Sequence, residues 1–131
     1  KAQASPVSDR IHFTGYLQGN ELLEGYAAMD GAFSAQAGND ASVRAVLEAM
    51  SCGLPVVAVS EGALGEVVTG DVGFGVVSRV PEKIVPGLAA FLNRDQAMGI
   101  NARKKMEIER PISLEAQRTI SYYENRMKLK S

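Results

Sequence analysis

The stretch DASVRAVLEAMSCGLPVVAV, residues 40–59, decides the fold. Val43, Val46, Leu47 and Met50 fall at i, i+3, i+4 and i+7, which is one face of a helix from Ala41 to Cys52. Gly53 stands where a left-handed residue closes a helix, and Pro55 forbids its continuation. Then Pro55-Val56-Val57-Ala58-Val59 is apolar without alternation, as a parallel strand buried on both faces requires. A helix turned directly into such a strand is half of a repeating α/β unit.

The neighbouring sequence extends that pattern. Upstream, Gly31-Ala32-Phe33-Ser34-Ala35 predicts a strand, and residues 36–40 a loop. Before it, Asn20 is placed to cap a helix through Ala28 that buries Leu22, Leu23, Tyr26 and Ala27. The alternating Ile11-His12-Phe13 predicts a further strand, and the first eight residues a loop or frayed end. Downstream, residues 62–68 predict a loop with one short helix, and Gly73-Phe74-Gly75-Val76-Val77 the last strand. Pro81 suits the first position of a helix whose stripe is Ile84, Leu88, Phe91 and Leu92, with Pro86 expected to distort it or delay its start. Asp95 is expected to cap the next helix. Ser113 is expected to cap a final one, over about 113–129, with Ala116, Ile120, Tyr123 and Met127 as a packed stripe.

Strands alternating with helices give an α/β fold with a mostly parallel, Rossmann-like sheet, and 131 residues hold one domain. A net charge of -1 argues against a nucleic-acid binder. One cysteine excludes an intrachain disulfide and favours a reducing, cytoplasmic setting. No apolar run approaches the roughly 20 residues that span a bilayer. The chain opens Lys1-Ala2-Gln3 without Met or a secretory leader, and the expectation is a piece of a longer sequence.

Ligands of open parallel sheets bind outside the carboxyl ends of the strands. The loops 36–40 and 60–65, and the helix start after Asp40, lie there. Free N–H groups and the positive dipole end at Ala41, Ser42 and Val43 suit phosphate oxygens, and these side chains are small enough for close approach. Asp40 and Glu48 are eight residues apart on this helix, about 12 Å along its axis, a suitable length for a nucleotide sugar. Each also has a plain structural explanation. Asp40 is a good N-cap, and Glu48 follows Arg44 by four residues, so the two could form an exposed pair.

The segment from Tyr26 to Ser78 as a whole resembles the C-terminal domain of GT-B glycosyltransferases of family 4, the glycosyl transferases group 1. The phrase LEAMSCGLPVVAV at 47–59 is similar to that family's LEAMA.G.PVVA, IHFTGYL to its V.F.G strand, and MGINARKKM to its MG..AR helix. The resemblance implies a donor-binding domain that transfers a glycosyl unit from a nucleoside diphosphate sugar, with retained configuration, to a glycan, lipid or small molecule. It implies no metal and no cofactor. Glu48 takes the second Glu of a Glu-x7-Glu motif, implied to contact the donor ribose, and Asp40 stands for the first, implied to contact the sugar. Gly62 and Glu66 match a GG.PE donor loop in which Ala63 and Gly65 replace a Gly and the Pro.

The same resemblance implies that the family's first two strands, with the Arg and Lys that grip the diphosphate, are lacking here. An N-terminal acceptor domain would be the partner, the chain alone would be inactive, and open sheet edges would favour an oligomer. The alternative is a non-catalytic interaction module with a degenerate form of the fold. His12, Cys52 and the incomplete Gly73-x-Gly75 are read as structural, with Cys52 as a small packing residue. The basic runs Arg103-Lys104-Lys105 and 126–130 are read as solvated faces, with peripheral contact to the inner membrane face as their functional alternative.

Overall fold

The computed structural model describes residues 4–36 and 40–128, and for Asp40 and Lys128 the backbone alone. Its centre is a three-stranded parallel sheet in the order β1-β2-β3: β1 Ala32–Ser34, β2 Val56–Val59 and β3 Gly73–Val76. Ala32 pairs with Val56 on one side of β2, and Gly73 with Val56 on the other. Around the sheet lie α1 Gly19–Ala27, α2 Asp40–Ser51, α3 Ala63–Val67, α4 Pro81–Leu92, α5 Ala97–Glu109 and α6 Ile112–Lys128. This is the mixed α/β fold, with a parallel sheet flanked by helices, that the sequence predicts.

Every residue of β2 is buried. Val56 and Ala58 face a core built with Val46, Met50, Leu64 and Met106, whereas Val57 and Val59 face Val76 and Ile84. This two-sided burial is why the run lacks polar alternation. Gly53 closes α2 at φ +80°, a conformation that costs a residue with a Cβ roughly 1–2 kcal/mol. The carbonyls of Met50 and Ala49 there accept from the N–H groups of Gly53 and Leu54, at 3.0 Å each.

Several expectations change at the edges. Ile11-His12-Phe13 forms no strand: it pairs with no other strand, and Phe13 is 76% exposed. The sheet holds β1, β2 and β3 alone among the described residues, and this segment does not add to its edge. Gln18, not Asn20, occupies the N-cap of α1, and Asn20 lies inside the helix. Of the predicted face of α1, Leu22 and Tyr26 are half-buried, while Leu23 and Ala27 are exposed.

The helix α4 starts at Pro81 despite Pro86. The carbonyl that loses its donor belongs to Glu82, which is exposed and therefore solvated. Its stripe stops at Phe91, since Leu92 is 78% exposed. Gln96, not Asp95, occupies the N-cap of α5, but the Asp95 Oδ1 one residue earlier accepts from the Ala97 N–H at 2.8 Å and so supplies the capping bond. Ser113 falls within the first turn of α6, because the Pro111 carbonyl already accepts from Leu114 and Glu115. The α6 stripe is not packed: Ile120, Tyr123 and Met127 are exposed. Cys52 is exposed too, so it fills no core space.

Candidate functional site

The carboxyl ends of β1, β2 and β3 open toward the start of α2 and the loop leading into α3. Asp40 is the first helical residue of α2 rather than the residue before it, so the N-cap explanation does not describe its position. Its side chain, and residues 37–39 of the predicted 36–40 loop, lie outside the described part of the chain. Of the three residues predicted to offer backbone N–H groups, Ala41 is exposed, Val43 half-buried and Ser42 buried. Ala41 and Ser42 line a cavity of about 640 Å³ with Phe33, Ser34 and Gln36.

Glu48 lies two turns further along α2, half-buried. The Tyr26 hydroxyl, on α1, donates to its Oε2 at 3.1 Å. Among the described residues the ion pairs are Arg79–Glu61, Arg103–Glu107 and Arg118–Glu115, and Arg44–Glu48 is not one of them. Glu48 is therefore held by a phenol from another helix, not by the neighbour four residues away. Burial first, and then the hydrogen bond and charge of Glu48, push the Tyr26 hydroxyl up to about 12, so it keeps its proton at neutral pH.

A cavity of about 1100 Å³ runs between α1, α2, α5 and the start of α6. Val43, Glu48, Tyr26 and Ala63 all line it. Ala63 adjoins Gly62, so the predicted loop and the predicted helix meet at one wall. Gly62 adopts φ 57°, ψ -140° before α3, a backbone state that suits glycine alone. Glu66 is exposed in the first turn of α3 and lines neither cavity. The structure thus brings Val43, Glu48 and the Gly62–Ala63 turn together, sets Ala41 and Ser42 beside the second cavity, and leaves Glu66 facing solvent.

The loop is tied down at its base. The Ser60 N–H donates to the Val76 carbonyl at 2.8 Å, and the Arg79 guanidinium donates to the Glu61 carboxylate. Sequence reading missed this pair and the Tyr26–Glu48 contact, because 18 and 22 residues separate the partners. The one local signal for Tyr26 is its own chemistry: a half-buried tyrosine on an apolar face needs a partner for its hydroxyl.

No described helix is long and apolar enough to cross a membrane. Residues 1–94 match the family described as Glycosyl transferases group 1. A 59-residue stretch is 44% identical to the sulfoquinovosyl transferase SQD2 of Arabidopsis thaliana, covering 45% of this chain and 11% of that protein. The matched stretch is thus a small part of that relative.

Proposed function

The chain belongs to the glycosyl transferases group 1 family, and on that premise we propose that it forms the donor-binding side of a retaining sugar transferase. The donor is a nucleoside diphosphate sugar. Its anomeric carbon–oxygen bond breaks, the nucleoside diphosphate leaves with the acceptor's proton on its phosphate oxygen, and the sugar carbon bonds to the hydroxyl oxygen of a glycan, lipid or small molecule. The acceptor is bound by a separate N-terminal domain, and transfer needs both. By its name the Arabidopsis relative performs a reaction of the same general class.

In this reading Glu48 accepts from the ribose hydroxyls and Asp40 from the transferred sugar. The N–H groups of Ala41, Ser42 and Val43 meet the diphosphate, where the positive end of α2 favours the leaving-group charge. Gly62 and Glu66 belong to the loop that closes over the donor. No metal or further cofactor takes part. The setting is cytoplasmic, with peripheral contact to the inner membrane face, and the open edge of β1 is where further strands or a second copy pair.

The observation that carries the reading is Glu48. It is a half-buried carboxylate on the wall of the 1100 Å³ cavity, in the same cavity as the turn at Ala63. Calorimetric titration with the diphosphates of uridine, guanosine and adenosine tests it. At least one should bind, and Glu48→Ala should weaken that binding tenfold or more, on the order expected for a lost charged hydrogen bond. Equal affinity in the variant would sink the assignment of Glu48.

A further inference from the structure

Glu48 is a long, flexible side chain on a half-exposed helix face, and such a carboxylate samples several rotamers unless something holds it. Three observations identify what holds it. The Tyr26 hydroxyl lies 3.1 Å from Oε2, within good hydrogen-bond range. The two residues share the walls of both the 1100 Å³ cavity and a neighbouring one of about 400 Å³. The phenol comes from α1, so the contact fixes the carboxylate against a second element and not merely along its own helix.

We propose that Tyr26 is a positioning residue: its hydroxyl holds Glu48 Oε2, so that Oε1 is presented to the ribose hydroxyls of the donor. The inference rests on the donor-binding reading of Glu48 and adds how that carboxylate is aimed. A carboxylate held by one oxygen offers the other in a fixed direction, which suits a pair of adjacent ring hydroxyls better than a freely rotating group. The phenol donates throughout the neutral range, since its proton is retained far above neutrality. Its second oxygen contact, the Ala45 carbonyl at 3.5 Å, is too long to compete for that proton.

The test compares ribonucleoside diphosphates with their 2′,3′-dideoxy counterparts, using uridine, guanosine and adenosine forms. The proteins are the whole chain, Tyr26→Phe, Glu48→Gln and the double variant. Phenylalanine keeps the ring and its packing, and circular dichroism verifies that each variant is folded. Tyr26→Phe should weaken binding of the ribose form by about 2- to 10-fold, the range for one net hydrogen bond, and leave the dideoxy form unchanged. In the double variant, removing the hydroxyl should add nothing to the loss already caused by Glu48→Gln.

A merely structural tyrosine would weaken both ligands alike, and that result overturns the inference. So does a Tyr26→Phe protein that still prefers the ribose form as strongly as the parent while Glu48→Gln does not. If Glu48→Gln itself leaves the preference intact, or no diphosphate binds, the donor-binding reading of Glu48 falls and this inference with it.

Discussion

The ring of Phe91 occupies the space that a side chain on Gly31 would need. A Cβ at Gly31 would collide with the ring edge and stand 2.9 Å from the Pro55 carbonyl oxygen. The contact joins the end of α4 to the entry of β1, and Arg94 closes it from outside. Its guanidinium stacks 4.1 Å from the Phe91 ring centre and donates to the Asp30 carbonyl at 3.0 Å. Because Pro55 is backbone and cannot swing away, Gly31→Ala should destabilise the fold by about 1–3 kcal/mol. Urea denaturation measures this, and an unchanged midpoint with an unchanged slope would contradict the packing described.

The central strand was legible because burial on both faces writes itself into composition. Val56, Val57, Ala58 and Val59 cannot be polar if each touches one of two cores. Helix α2 was legible for a related reason, since its apolar positions recur with the helical period and Gly53 ends it. Ile11-His12-Phe13 misled because strand propensity is a statement about fitting a sheet, and a segment without a partner has none to fit. The stripe on α6 misled in the same way: Ile120, Tyr123 and Met127 have the spacing of a buried face, but spacing says nothing about what covers it. At the site, the position of Glu48 could be read from its helix. The hydroxyl that holds it could not, because it arrives from another element.

The exposure of α6 has a measurable consequence. Beyond its half-buried first turn at Leu114 and Glu115, α6 is unpacked, and such a helix is marginal in water, since tertiary burial supplies most helical stability. Amides of α6 should therefore exchange with deuterium much faster than those of α2 and β2, which include fully buried Ala49, Met50 and Val56. Equal protection in α6 and β2 would mean that a second surface covers it in solution.

The Arg79–Glu61 pair predicts a local effect without a global one. Both side chains are about half exposed, at 51% and 45%, so the pair contributes little to overall stability, about 0–1 kcal/mol. It nevertheless spans from the loop after β2 to the segment after β3. Arg79→Ala should leave the urea midpoint nearly unchanged but raise hydrogen exchange across 60–65. High salt should do the same to the parent protein. A large fall in global stability would show that Arg79 has a role beyond this contact.

Titration of Tyr26 links the site to stability through pH. Its hydroxyl is raised from 10.0 to about 12 by burial first, then by the hydrogen bond and charge of Glu48, and last by Cys52. Between these values the unfolded chain has released the proton while the native one retains it. The native state thus binds more protons, and stability falls as pH rises. The contribution is fully present below about pH 10 and lost as pH passes through about 12. Tyr26→Phe removes it, so the stability difference between parent and variant should shrink across that window. Urea unfolding of both proteins at stepped alkaline pH measures the difference directly and cancels the other tyrosines and the lysines. Glu48→Gln, which removes the charge but keeps an acceptor, should bring the ionisation of Tyr26 to lower pH in the ultraviolet absorbance. A titration unmoved by that change would show that Glu48 does not act on the hydroxyl.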